Sequence, residues 1–372
     1  MFSPVEVALI PQNLVAVEEK GSRPMSDPRL LQDIKNQGQS LSHVLAYQLA
    51  EGRQALSEAS ALLRAARKIV VTGMGASLYA SWYLQYQLAA LGLNCMVADS
   101  GELLHYQQRL CSDAVVVLVS RSGESVELIK LLPQIREISS HIIAVTNDPK
   151  STLATGADIA LMIGSFDDER MAIQSYTGTL LVFALLASVV GGELGQVQDE
   201  LLQVLETIAS LLYRDLNVAE YWDGFLEPGS PIFLLGRGPS YASALEGGLL
   251  FNETAKQPAV GMTCGNFRHG AVEFVDSSFR GIVFAPQGKT RQMNLALAES
   301  FERFGGKVLV IGPREGGNGS LRFIDVPTSE RFAPLIEIIP AQFGAFRLAT
   351  LKRLPLGGLR YISQVTRDEV AF

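Results

Sequence analysis

Four side chains suited to binding an oxyanion fall within six residues, Ser120, Arg121, Ser122 and Ser125 in "SRSGES", directly after the apolar run "VVVLV". Hydroxyls and backbone amides at the carboxyl end of a buried strand can donate hydrogen bonds to such a group. Gly123 permits a close turn and Arg121 adds charge. Ser77, in "GMGAS" after "KIVVT", offers another hydroxyl from a neighbouring loop. A cap on the helix "ESVELIKLLPQIRE" needs one serine, Ser122 or Ser125. Three serines and an arginine exceed that need, which points to anion binding.

These residues need a scaffold of strands and helices. "KIVVTG", "NCMVAD", "AVVVLVS", "HIIAVTND" and "DIALMIG" read as five strands, separated by helical or loop sequence. Continuous apolar strands with helices between them imply a parallel sheet covered on both faces, a doubly wound, flavodoxin-like α/β arrangement. After a helix from about Leu201 to Tyr213 and a polar link around "DGFLEPGSP", the pattern restarts with "PIFLLGRG", "GIVFAP", "KVLVIGP" and "LRFIDVP". The two openings, "KIVVTGMGASLYAS" and "PIFLLGRGPSYASA", share a strand, a G-x-G turn, a serine and a Tyr-Ala pair. The chain therefore divides into an extension and first helix (1–34), two copies of one fold (35–205 and 206–354) and a tail (355–372). Neither turn completes G-x-G-x-x-G, which argues against a dinucleotide. "QGKT" lacks the upstream glycine of a nucleotide-binding P-loop.

Composition narrows the class further. A chain of 372 residues, 48% hydrophobic and 19% charged, is globular, and its net charge of -7 argues against nucleic acid. Three scattered cysteines (Cys95, Cys111, Cys264) give no disulfide framework or zinc spacing and fit a reducing cytoplasm. The N-terminus lacks a basic segment before its apolar stretch, so no signal peptide is expected, and Met25 is an alternative start to Met1. "TLLVFALLASVV" is too short to span a bilayer and reads as a buried helix, so no membrane association is expected. No metal or cofactor is expected either.

"SRSGES" resembles the phosphate loop of the sugar isomerase (SIS) domain family, whose two-domain members include the isomerase half of glucosamine-6-phosphate synthase. The segment "LGRGPSYASALEGGLLFNETAKQPAVGMTCGNFRHGAVEFV" is similar over a longer and more specific pattern, and the likeness runs from about residue 35 to the C-terminus. The resemblance implies that Ser77, Ser120, Arg121, Ser122 and Ser125 hold a sugar phosphate. It implies that Glu253 moves a proton between C1 and C2, and that His269 assists ring opening from the neighbouring subunit of a homodimer with shared active sites. Elementary chemistry agrees with these roles. A carboxylate in a partly dry pocket is a competent proton shuttle, and histidine titrates in the range that ring opening needs.

Departures from the pattern shape the expected function. No glutaminase domain is recognisable and residue 2 is Phe, so glutamine-dependent amidotransfer by this chain alone is not expected. The family's imine-forming tail lysine is replaced by Ser363 or Gln364, and Leu250 and Gln174 stand where the synthase has lysines. "FAPQGKT" replaces the serine loop in the second copy, leaving one phosphate site per chain. The expectation is an aldose–ketose isomerase of a hexose or amino-hexose 6-phosphate. An isomerising deaminase, a deglycase, and a non-catalytic phosphosugar sensor are the alternatives.

Overall fold

The computed structural model describes residues 28–213, 221–314, 320–363 and 365–369, so both candidate start residues and Gln364 lie outside the described residues. Ten strands form two five-stranded parallel sheets. The first holds β1 (Ile69–Gly73), β2 (Cys95–Asp99), β3 (Val115–Val119), β4 (His141–Thr146) and β5 (Ile159–Met162) in the order β2-β1-β3-β4-β5. The second holds β6 (Ile232–Gly236), β7 (Ala259–Thr263), β8 (Arg280–Phe284), β9 (Lys307–Gly312) and β10 (Arg322–Asp325) in the order β10-β9-β8-β6-β7. Counted from its own first strand, each sheet has the order 2-1-3-4-5, the flavodoxin-like winding. Every residue of β1, β3 and β6 is buried, as an unbroken apolar run in a parallel sheet must be.

Ten helices of seven or more residues flank the sheets among the described residues. They are α1 (Arg29–Lys35), α2 (Gln37–Leu49), α3 (Arg53–Ala65), α4 (Ala76–Ala90), α5 (Val126–Arg136), α6 (Gln174–Gly191), α7 (Leu194–Tyr213), α8 (Ser240–Ala255), α9 (Arg291–Arg303) and α10 (Ala333–Leu351). Among the described residues one helix, α6, is long and apolar enough to cross a membrane, yet all of its residues but Val189 and Gly191 are buried inside the protein. The main hydrophobic core runs without a break from Leu30 through α4, α6 and α8 to Ala349, so the two units share one interior. Tyr241 of α8 meets Trp82 of α4 edge-on at 5.4 Å between ring centres, which joins the first helix of one unit to that of the other.

Two features depart from the sequence reading. β7, "AVGMT", is a fifth strand that apolar patterning does not reveal, because it is an edge strand with four of five residues at least partly exposed and a glycine at its centre. The expected polar link also hides an aromatic anchor, with Trp222 fully buried and edge-on to Phe225 and Phe251.

Candidate active site

β1 and β3 lie side by side and point their carboxyl ends to the same edge, which brings Ser77 and the serine loop together. Gly73 ends β1, where a Cβ atom would sit 2.8 Å from the Val119 carbonyl oxygen. A side chain at that position would push the two loops apart. Gly123 turns the serine loop with φ +65, and its hydrogen faces Ser151, whose Oγ would be 2.1 Å from an added Cβ.

The loop's hydroxyls turn inward on one another. Ser120 Oγ lies 3.0 Å from Ser125 Oγ and 3.5 Å from Ser122 Oγ. Ser120 Oγ accepts from the Gly123 amide at 3.2 Å and Ser122 Oγ from the Glu124 amide at 3.2 Å. Ser125 occupies the N-cap position of α5 but makes no capping hydrogen bond, so none of the three serines is spent on the helix end. The Arg121 carbonyl accepts from Asn147 N at 2.8 Å and Thr146 Oγ1 at 3.0 Å, pinning the loop to the end of β4. Glu124, whose charge would repel an anion, is bound to the Thr152 amide (2.6 Å) and hydroxyl (3.0 Å). The Arg121 guanidinium lies near Asp168 and opposes the upward push that burial gives that carboxyl. Asp168 in turn accepts from the first amides of α6, Gln174 N at 2.7 Å and Ser175 N at 3.1 Å. Part of Arg121's charge therefore serves the fold.

Glu253 sits in the last turn of α8, against the first unit. Gly75, two residues before Ser77, would touch Leu249 Cδ2 with a Cβ at 3.9 Å. Burial raises the Glu253 carboxyl to about 7, and among the described residues Lys256 opposes the rise. Glu246, seven residues earlier on the same helical face, is buried, with Oε2 unpartnered. Burial, then the charges of Glu253 and Asp168, hold the Glu246 proton far more tightly than usual. Tyr79 of α4 faces this pair: burial raises its hydroxyl first, then Glu246, Tyr241 and Glu253. Two carboxyls on one helical face, both raised by burial, thus lie near the Tyr79 hydroxyl.

His269 is not joined to this cluster. It is exposed just past the turn Cys264–Phe267, and its ring makes no hydrogen bond or ion pair among the described residues. The losses of positive charge are offset in part. Leu250 and Gln174 are buried, as α8 and the start of α6 require, but Lys256, Lys352 and Arg360 gather at the far end of α8. Sequence reasoning misses these three because they come from different segments and share no motif. It also passes over Arg237 in the turn after β6, which lies 3.5 Å from the Cβ position of Gly265.

The sequence matches the SIS domain family over residues 62–189 and 226–352. The glutamine–fructose-6-phosphate aminotransferase (isomerizing) of Zymomonas mobilis is 26% identical over 316 residues, covering 81% of this chain and 52% of that protein. Its counterpart in Pyrococcus horikoshii is 27% identical over 296 residues, 77% of this chain and 49% of that protein. The chain spans about half the length of these curated relatives. Among solved structures, the C-terminal domain of glucosamine-fructose-6-phosphate aminotransferase from Francisella tularensis superposes with a TM-score of 0.81 at 19% identity, covering 91% of this chain and 99% of that one. Tagatose-6-phosphate ketose/aldose isomerase from Escherichia coli gives 0.75 at 20%, with 90% and 98% covered. Glucosamine-6-phosphate deaminase from Thermotoga maritima gives 0.76 at 17%, with 91% and 99% covered.

Proposed function

The chain belongs to the SIS domain family, in two copies, and on that premise we propose that it is an aldose–ketose isomerase of a hexose or amino-hexose 6-phosphate. One observation carries the reading. The helix that bears a carboxyl poised near neutrality packs against the turn that bears Ser77, beside a loop whose three serines face one another instead of a helix end. The first unit binds the phosphate through Ser77, Ser120, Arg121, Ser122 and Ser125, and the second supplies the base.

In the proposed reaction, ionised Glu253 takes the proton from C2 of the open-chain aldose. The C–H electrons form the C1–C2 double bond of an enediol as the O1 carbonyl gains a proton. Glu253 then returns its proton to C1 while the O2 hydroxyl loses one, giving the ketose. A base with a pKa near the working pH suits both transfers. His269 assists ring opening in the site of a partner subunit, a placement supported by its exposed position and by the exposed apolar side chains Val260 and Phe274 on the same unit. The expected boundary near residue 205 falls inside α7 and the one near 354 just past α10, and the free thiols Cys95, Cys111 and Cys264 accord with a cytoplasmic setting.

The test is incubation with a panel of hexose and hexosamine 6-phosphates, following ketose and ammonia together. Ketose without ammonia supports isomerisation, and ammonia release replaces it with the isomerising deaminase. Tight binding with no turnover across the panel replaces both with a sensor.

A further inference from the structure

The end of α8 is held by an arrangement that the isomerase reading does not use. Lys256 follows the helix in the left-handed conformation (φ 49), uncommon for a residue with a side chain. From there its Nζ donates back to the Glu253 carbonyl and across to the Gly358 carbonyl at 2.6 Å. Lys352, just past α10, donates to the Lys256 carbonyl at 2.9 Å and to Gln257 Oε1 at 3.1 Å, fixing the backbone on which Lys256 stands. Gln257 is itself buried, donating to the Ser230 carbonyl (2.6 Å) and accepting from the Gly229 amide (3.1 Å).

Beyond Gly358 the tail runs toward the other half of the site. The Thr366 carbonyl accepts from the Val126 amide at 3.1 Å, one residue past Ser125 of the serine loop. Glu369 then pairs with Lys130 of α5 (2.5 Å) and His105 (3.2 Å). One tail therefore joins the end of the helix bearing Glu253 to the start of the helix that follows the serine loop, with Lys256 as its fastening at the first of these.

We propose that Lys256 is a positioning residue that straps the tail to the end of α8 and, through the same ammonium, sets the charge felt by Glu253, so that seating of the tail and readiness of the base are coupled. The proposal rests on Glu253 being the base. Among the described residues, Lys256 is the cation that lowers the Glu253 carboxyl. Glu246 on α8 and Tyr79 on α4 lie near Glu253, and Arg360 on the tail and Lys352 past α10 lie near Lys256. Burial, then Arg360, draws the Lys256 ammonium below its ordinary range, and Glu253 raises it. Releasing the Gly358 bond leaves the ammonium with its bond to the Glu253 carbonyl but more open to water, which weakens its hold on the Glu253 charge.

The test compares Lys256→Met, Lys256→Gln and Lys256→Arg with the wild type by three readouts: hydrogen exchange of tail amides 356–363, the titration of Glu253 by side-chain carbon NMR, and the pH profile of kcat/KM. Lys256→Met is expected to speed tail exchange at least tenfold and to raise the Glu253 midpoint by up to about one pH unit, about tenfold in proton affinity. Activity then falls most at low pH. Lys256→Arg keeps both properties. Lys256→Gln, which keeps a donor but no charge, holds the tail and still raises the midpoint, and it carries the comparison should the Met variant fail to fold. Unchanged exchange and titration in Lys256→Met overturn the proposal, as does an activity loss equal at every pH. Exchange and titration need no turnover, so an inactive wild type refutes the isomerase reading while they still decide the strap.

Discussion

Glu253→Gln should lose activity and gain stability at once, and the two effects have one cause. Burial raises the carboxyl from an ordinary 4.5 to about 7, which corresponds to roughly 3 kcal/mol against the ionised form. Because the folded pKa lies above the unfolded one, the native state holds a proton between about pH 4.5 and 7 that the unfolded chain has released. The contribution to stability is fully present below 4.5, falls as pH rises through this window and is absent above 7. Glutamine matches the neutral acid in shape and never ionises. The variant should match the wild type in stability near pH 4.5 and exceed it at pH 8 by up to about 3 kcal/mol, measured by urea unfolding. Partial exposure of the side chain reduces that figure in proportion. Turnover should fall about 10²–10⁴-fold, the usual worth of a general base. Deuterium from heavy water should enter C1 or C2 with the wild type and not with the variant. Wild-type kcat/KM should itself fall about tenfold per pH unit below 7, as the base becomes protonated. A variant that keeps wild-type turnover, or one no more stable at pH 8, refutes the assignment of a buried, poised carboxyl.

Three further outcomes follow from the same geometry. Ser120→Ala and Ser122→Ala should each weaken sugar-phosphate binding by about 1–2 kcal/mol, measured by calorimetry, with no change for the unphosphorylated sugar. Glu337, fully buried with Ser240 donating to it at 3.1 Å, is raised by burial to about 8, so stability should fall as pH rises toward 8, and Glu337→Gln should flatten that fall in thermal unfolding scans. Mixing Glu253→Gln chains with His269→Asn chains should recover part of the lost activity, since a mixed dimer with shared sites contains one intact site; no recovery, with mixed dimers confirmed by mass, places the whole site within one chain.

Elements that carry their own periodicity could be read without tertiary information. β1, β3 and β6 are apolar throughout because both faces are covered, and the duplicated turn exposes the repeat. β7 lies beyond that signal because an edge strand with exposed residues has no reason to look apolar. The candidate site divides along the same line. The serine loop is local, six residues whose geometry is set by one turn and one glycine. The proposed base depends on groups far apart in sequence, such as Tyr79 with Glu253 and Glu246, and Lys256 meets Gly358 102 residues away. A charge that replaces a missing lysine from a different segment cannot be seen by matching positions one by one.

The second sheet shows what the duplication has done with its spare crevice. Its loop after β8, Gln287–Lys289, stands where the first sheet has the serine loop, yet an anion of the chain's own occupies it. The backbone at Gln287 pairs with Ser329 and bonds the Thr328 carbonyl (3.0 Å), and Glu330 N returns a bond to the Gln287 carbonyl (2.8 Å). Glu330 Oε2 then accepts from the Lys289 amide at 3.0 Å and lies 2.4 Å from the Cβ position of Gly288, while Oε1 is 3.1 Å from that of Gly238. The carboxylate spans the two loops that a ligand of this crevice would have to bridge, and its charge repels a phosphate. Loss of the serines and gain of Glu330 act in the same direction. In the first unit the corresponding loop turns the Ser120, Ser122 and Ser125 hydroxyls toward one another, with no capping bond from Ser125 to the helix end. Under the proposed function one copy holds the anion and the other supplies the carboxyl, so each unit alone should be inactive.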